Sequence, residues 1–392
     1  MAGPASIAAS QAPVPGGRGG IRPTRIEVDL GAVIENARAV KALAATRLYA
    51  VVKADAYGHG APQVARALDA SGACDGLCVS LVEEGAQLRD AGVRGPILVM
   101  GPSQAHGEDE MIARGLTPVV SDPDDVARIA AAAAARGASV SVHVKIDTGM
   151  HRLGIAPSDA ARVASDARAR GLTVAGLMTH FANADIDDPA DLGCMTYAQL
   201  ASFAQVDAVV RAPIRHAANS SGAMMFPSAR LDLVRTGIAI YGNGRWPADA
   251  RLNAPRRQAM RLVTDVAQLR RVPRGGTVGY GALWRADRDT IVAVLPLGYA
   301  DGLPRRATSH ARVLIRGKRC PLVGAISMDI AIADVTDVPE AQVADEVVLL
   351  GEQGSDTITT AEYGAWSGLT EYEVTCGMSK RVPRVHVGGA GG

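Results

Sequence analysis

The chain has 392 residues, 48% of them apolar and 21% charged, which is ordinary for a globular protein and long enough for two domains. A net charge of +1 gives no electrostatic reason to expect nucleic acid or an anionic membrane surface as a partner, and no run of about 18 apolar residues is present to span a bilayer. The five cysteines, at 74, 78, 194, 320 and 376, are odd in number and scattered, which argues against a disulfide framework; the 74–78 pair has no second pair at zinc-ligand spacing, so no metal is expected.

Residues 1–22 begin with the Ala/Pro/Gly/Ser-rich stretch "MAGPASIAASQAPVPGGRGG". It has neither the basic start nor the continuous apolar segment of a secretory signal, so a disordered extension and a cytoplasmic setting are expected. "RIEVDL" (25–30) alternates as a strand does and can pair with a β domain further along the chain. Eight strand candidates follow: "RLYAVVKA" (47–54), "GLCVS" (76–80), "PILVMG" (96–101), "TPVVS" (117–121), "VSVHVKID" (140–147), "VAGLMTHFA" (174–182), "IRHAANS" (214–220) and "DLVRTGIAIYG" (232–242). Helical spacing fills the gaps. One helix is marked at both ends, by Ser121-Asp122-Pro123 at its start and Gly137 at its stop. Strand–helix units repeated about eight times predict an α/β fold, a (β/α)8 TIM-type barrel over 23–245. A doubly wound sheet is the second choice, because it needs fewer strands and no G-x-G-x-x-G follows the first one. From 246 to 392, runs such as "RLVTDVAQLRRV", "DTIVAVLPLGYA" and "ARVLIRGKRCPLVGAI", split by Gly/Pro turns, predict a mainly β domain.

A barrel of this kind carries its chemistry at the C-terminal ends of its strands. Those ends hold Lys53 and Tyr57, then Lys145 with Arg152, then His180, then His216, Asn219 and Ser220, and last Arg235 and Gly237. Singly, each has a plain reading. A strand-end lysine is a rim residue, His180 and His216 are structural, Asn219, Ser220 and Gly237 are turn residues, and Arg235 pairs with Asp232. Jointly, two lysines, two arginines and two histidines around one ring repel each other unless an anion sits among them. The small residues of Asn219-Ser220-Ser221-Gly222 and Arg235-Thr236-Gly237 let backbone N–H groups approach a phosphate. A lysine among cations in a dry pocket is nucleophilic enough to form a Schiff base. An aldehyde that bears a phosphate suits all three features, and pyridoxal phosphate is that cofactor.

On "VVKADAYGHG" (51–60) the chain resembles the alanine racemases. "KIDTGMHRLG" (145–154), "THFANAD" (179–185), "HAANSSG" (216–222), "RTGIAIYG" (235–242), "TVGYGALW" (277–284), "PLGYADGLPR" (296–305), "ISMD" (326–329) and "RVPRV" (381–385) extend the resemblance over 23–387. It implies pyridoxal phosphate in Schiff-base linkage to Lys53, which acts on one face of the substrate α-carbon. Tyr280 from the partner chain of a homodimer acts on the other, because racemisation takes a proton from one face and returns it to the opposite one. The product, D-alanine, would serve peptidoglycan. Arg235 would bond the pyridine nitrogen and leave it unprotonated, His216 would support Arg235, and His180 would orient Tyr280. Arg152 would lie by the cofactor's phenolic oxygen, steadied by Lys145 in carbamylated form. Tyr57, Ser220 and the backbone of Gly237 and Ile238 would bind phosphate, with Asn219 in the same cofactor set. Met328 and Asp329 would complete the substrate pocket from the partner, with Tyr299 and Arg305 on its approach.

Read alone, this second set is plainer: Tyr280 is a hairpin-turn aromatic, Met328 core filler, Asp329 a turn residue, and Tyr299 and Arg305 a surface hairpin. His59 is read as structural, a cap for the first barrel helix. Two positions depart from the family pattern. His151 stands where a small residue is usual, and its bulk bears on Arg152. Lys380 stands where relatives carry a phosphate-binding tyrosine before "RVPR", so contact there would be ionic, through Lys380 or Arg381, or absent. Competing readings are a racemase of broader specificity, a decarboxylase on a similar barrel, and a non-catalytic protein that keeps the cofactor. The "VVKADAYGHG" signature and the "GYG" tyrosine oppose the second, and the presence of both Lys53 and Tyr280 opposes the third.

Overall fold

The structure, a computed structural model, describes residues 21–102, 107–247 and 256–388. Of the expected disordered extension, all but Ile21 and Arg22 lies outside the described residues. Strand β1 (Arg25–Asp29) leads into the helix Leu30–Ala44, whose start Asp29 caps by accepting the Ala32 N–H at 2.9 Å.

Eight parallel strands come next: β2 (Arg47–Val51), β3 (Gly76–Val79), β4 (Ile97–Val99), β5 (Thr117–Val120), β6 (Ser141–Lys145), β7 (Thr173–Met178), β8 (Ile214–His216) and β9 (Leu233–Thr236). They pair in the order β8-β7-β6-β5-β4-β3-β2-β9, so the first and last are neighbours, which an open doubly wound sheet does not allow. Two hydrogen bonds join the free edges, Asp232 N–H to the Arg215 carbonyl at 3.1 Å and Arg235 N–H to the Ala218 carbonyl at 3.0 Å. The result is a nearly closed TIM-type barrel. Strands β3 and β4 are buried at every position, as expected where helices cover one face and the barrel interior the other. The helix foreseen at 121–137 runs Pro123–Arg136, with Asp122 accepting the Asp124 N–H at 2.9 Å and Gly137 at φ 58°.

Several strands are shorter than their apolar runs. Strand β9 ends at Thr236, and Ile238–Tyr241 coils into a 3-10 helix. Strand β8 ends at His216, because Asn219 accepts the Gly222 N–H at 2.9 Å and starts the helix Ser220–Met225. These early endings place the polar residues in the loops above the barrel.

The rest of the described chain is mainly β. Strand β10 (Met260–Asp265) pairs antiparallel with β1, and β1 pairs parallel with Arg384–Val387. Both belong to a seven-stranded sheet; a separate three-stranded sheet holds Gln268–Val272, Thr290–Leu295 and Ala331–Asp334. This domain leans on the barrel mouth. A side chain at Gly58 would place its Cβ 2.1 Å from the Thr375 carbonyl oxygen, and Arg384 Nε donates to the Gly58 carbonyl at 3.1 Å. Among the described residues no helix is long and apolar enough to cross a membrane.

Candidate active site

Lys53 opens a turn of unusual hand. Ala54, Asp55, Ala56 and Tyr57 have φ between 51° and 55°, a full turn of left-handed helix without a glycine. Each such residue costs about 1–2 kcal/mol, so the turn persists only because its surroundings hold it. Glu84 accepts the Ala54 N–H at 2.6 Å, and Asp55 accepts the Ala61 N–H at 2.8 Å. His59 Nδ1–H donates to the carbonyls of Ala56 at 2.8 Å and Tyr57 at 3.1 Å. His59 is therefore structural, but it holds this turn; the helix Ala61–Ser71 starts at Gly60, with Asp55 rather than His59 accepting its first N–H.

The turn delivers Tyr57 over the end of β9. A Cβ added at Gly237 would sit 2.3 Å from the Tyr57 hydroxyl, so only glycine leaves that space open. The buried Ser220 hydroxyl accepts the N–H groups of Gly237 at 3.0 Å and Ala239 at 3.4 Å, tying two helix starts together. Ile238, at the second start, is buried. The Asn219 side chain is committed to its cap and to the Phe181 carbonyl, so it places Ser220 and does not itself reach out. If the pyridoxal phosphate expected from the sequence seats its phosphate here, Gly237→Ala should fold and bind it about five- to a hundred-and-fiftyfold more weakly, the scale of about 1–3 kcal/mol for overpacking; fluorescence titration with pyridoxal phosphate checks this, and unchanged affinity overturns the reading of this space.

Arg235 is only 2% exposed. It does not pair with Asp232, which is held instead by Arg215 at 2.7 Å. Its Nη1 donates to His216 Nδ1 at 2.8 Å, and its Nη2 donates to the carbonyls of Thr179 at 2.7 Å and Ala217 at 3.1 Å. Nη2 also lies 3.3 Å from His180 Nδ1. Because a guanidinium only donates, His216 Nδ1 must accept, its proton sits on Nε2, and it donates to His143 Nδ1 at 2.7 Å. Both histidines are then neutral. Burial, reinforced by the Arg235 charge, agrees: it takes His143 down to about 4 and His216 well below its usual range. Burial pulls Arg235 itself down to about 10, which leaves it a cation at neutral pH. Its Nε is buried with no partner among the described residues.

Burial, then the charges of Arg235 and Arg152, lowers the Lys145 ammonium to about 8, and Lys53 adds to the effect. The same four causes, burial first, with Lys145, hold His180 well below its usual range. So Lys53, Lys145, Arg152, His180 and Arg235 share one mouth. His151 does not crowd Arg152: at φ 53°, with a side chain 84% exposed, it turns onto Asp147 at 3.3 Å.

The remaining candidates lie elsewhere. Tyr280 tips a hairpin between Thr277–Val278 and Trp284–Arg285 and is 74% exposed. With Tyr299, Arg305, Met328 and Asp329 it lines a shallow cleft of about 440 Å³ on the β domain, and no described barrel residue lines that cleft. Met328 is half exposed and is not core filler. Arg381 is not free for a phosphate, since it bridges Asp301 at 2.9 Å and Asp329 at 2.7 Å, and Lys380 is exposed. A different phenol, Tyr372, lies beside Tyr57, with ring centres 6.0 Å apart.

Comparison with known proteins decides the family. Residues 28–244 match the model of the alanine racemase N-terminal domain, and residues 259–386 match that of the C-terminal domain. The chain belongs to the alanine racemase family. The alanine racemase of Sorangium cellulosum is 42% identical over 385 residues, covering 93% of this chain and 99% of the relative. That of Symbiobacterium thermophilum is 41% identical over 377 residues, covering 94% and 98%. The crystal structure of alanine racemase from D-cycloserine-producing Streptomyces lavendulae aligns with a TM-score of 0.86 at 34% identity, over 95% of this chain and 99% of that one. The biosynthetic alanine racemase of Pseudomonas aeruginosa aligns with a TM-score of 0.81 at 34% identity, over 94% and 100%. This member of the family is an enzyme, an isomerase acting on amino acids.

Three participants do not stand out in the sequence. His143 extends the Arg235–His216 line; its signal is alternation, since it lies two residues before Lys145 on the same face of β6. Glu84 clamps the Lys53 turn from the first turn of the helix Val82–Asp90, and leaves no local sequence trace of that role. Asp301, inside "PLGYADGLPR", anchors Arg381, a role its motif does not announce.

Proposed function

We propose that this alanine racemase works with pyridoxal phosphate, as a homodimer in the cytoplasm, interconverting L- and D-alanine for peptidoglycan. The observation that carries the cofactor is Arg235 Nε, a buried charged donor without a partner. Leaving such a donor unpaired costs about 1–3 kcal/mol or more, and a pyridine nitrogen is an acceptor of the right kind. The space over Gly237, bounded by Tyr57 and Ser220, suits the phosphate at the other end of the same molecule. When bound, pyridoxal phosphate supplies an electron sink that makes the α-proton of an amino acid removable.

The chain's own residues do the rest. Lys53 anchors the cofactor and takes or returns the proton on one face of the α-carbon. Arg235 hydrogen-bonds the ring nitrogen but cannot hand it a proton at neutral pH, and the neutral His216 and His143 behind it have none to spare. A less electron-poor ring gives racemisation an advantage over transamination. Arg152 offers positive charge to the anionic groups of cofactor and substrate, and Lys145, its ammonium lowered to about 8 by burial, is the amine that carbamylation would turn into an anion beside Arg152.

Tyr280 serves the opposite face from a second copy of the chain. Its exposure, and that of Leu283, Met328 and Ile330, favours a covered surface over an exposed apolar one. Ile186 and Leu192, exposed in the loop after β7, give the barrel side a matching apolar area. Two-fold symmetry makes such a contact twice, the Tyr280 patch of each chain meeting the barrel patch of the other. In deuterium oxide, L-alanine should lose optical activity and gain deuterium at the α-carbon together. Loss of carbon dioxide instead would support the decarboxylase, and no exchange would refute the proposal; a panel of other L-amino acids reads the breadth of the substrate range.

A further inference from the structure

We infer that Arg381 is a positioning residue for Asp329, anchored by the buried carboxylate of Asp301 and, through it, by Arg22. The role in catalysis rests on the proposed racemase function and on the expectation, carried by the family resemblance, that Asp329 borders the substrate. Asp301 closes the 3-10 turn Tyr299–Asp301 and is fully buried. A carboxylate survives burial only when it is well paired. Arg22 grips it with both terminal nitrogens, at 2.7 and 2.9 Å, the Gly298 N–H donates at 3.0 Å, and Arg381 Nε lies at 2.9 Å. Two guanidinium groups on one carboxylate leave one positive charge over. Asp329 takes it: Arg381 Nη2 lies 2.7 Å from Asp329 Oδ1. One fork thus spans a buried acid and an exposed one, which a point-charge ammonium cannot copy.

The same turn holds the backbone of the Asp329 loop. Tyr299 N–H donates to the Ser327 carbonyl at 3.0 Å, and Ala300 N–H donates to the Met328 carbonyl at 3.1 Å. A Cβ at Gly298 would lie 2.2 Å from the Ser327 oxygen, so the two segments touch backbone to backbone. Tyr299, Met328 and Asp329 are therefore one body, pinned at Asp301. Alanine brings its own carboxylate to this body. An unheld Asp329 would repel it, whereas Arg381 both turns the Asp329 carboxylate aside and neutralises it. A plain surface ion pair would matter little to kinetics, so the inference separates cleanly from that reading.

The test is alanine racemisation kinetics on the holoenzyme with Arg381→Met, Arg381→Lys, Asp329→Asn and the Arg381→Met/Asp329→Asn pair. Arg381→Met should raise KM for alanine about tenfold, the scale of a like charge left facing a bound carboxylate, with kcat within about twofold and the cofactor absorbance unchanged. In the Asp329→Asn background the same change should add less than about twofold. Arg381→Lys should recover part of the KM loss. If Arg381→Met does not fold, Arg381→Lys alone and with Asp329→Asn supplies the same cycle. A near-wild-type KM, or effects that multiply in the double variant, overturns the inference. A wild-type protein that does not racemise alanine strikes at the proposed function instead.

Discussion

Lys53→Ala should abolish alanine racemisation, lowering turnover by at least about 10⁴-fold, at the top of the range for loss of a general base and with the proposed covalent anchor of the cofactor removed as well. The fold should survive. Lys53 is half-buried at a strand end, and surface substitutions of this kind shift stability by about 0.5 kcal/mol or less. Borohydride should lock pyridoxal phosphate onto the wild-type peptide containing Lys53 and leave the variant's peptide at its unmodified mass. Activity above a tenth of wild type, or labelling at another lysine, removes Lys53 from its proposed place. The left-handed turn raises the stakes of this position: Glu84, His59 and Arg384 hold residues 54–58 against about 1–2 kcal/mol of strain per residue, so the amine is aimed by its surroundings as much as by its own strand.

Tyr280→Ala should be nearly as damaging, and mixing it with Lys53→Ala should restore activity. In each pure variant both sites of the dimer lack one group. In a mixed dimer, one site combines the intact Lys53 of one chain with the intact Tyr280 of the other, and the second site lacks both. Random reassortment of equal amounts makes half the dimers mixed with one working site each, so about a quarter of wild-type turnover should return. If each site were built within one chain, no mixture could recover anything. The geometry behind this expectation is the separation of two surfaces, a cationic barrel mouth and a cleft around Tyr280 to which no described barrel residue contributes. Failure to recover activity after demonstrated subunit exchange would rule out the shared site.

The sequence made the barrel legible because buried parallel strands read as unbroken apolar runs, and a polar residue at the end of such a run stands out. That logic reached Lys53, Lys145, His216 and Arg235. It did not reach conformation that depends on distant support. Nothing in "ADAY" announces a left-handed turn, since its four residues favour the right-handed form and are overruled by His59 next door, Glu84 on a helix and Arg384 on a distant strand. Asp301 could be seen only as part of a surface hairpin, because the arginine that justifies its burial lies 279 residues earlier. Arg381 stood beside the position of a missing tyrosine and invited a phosphate, yet two nearer carboxylates claim it. His143 was within reach of strand alternation. Tyr280 was legible only through resemblance, because a tyrosine between two glycines at a hairpin tip carries no local mark of chemistry.

The pairing of β1 with both β10 and Arg384–Val387 sets the order in which the protein can mature on the ribosome. The eight barrel strands can emerge and pair while β1 waits for its last neighbour, for roughly 20–70 s at ordinary rates of synthesis. The guanidinium that clasps Gly58 arrives with that final strand, so a nascent chain can own a complete barrel and still have an unsecured lysine. Closure of the β1 sheet, not completion of the barrel, is then the step that fixes the amine in place.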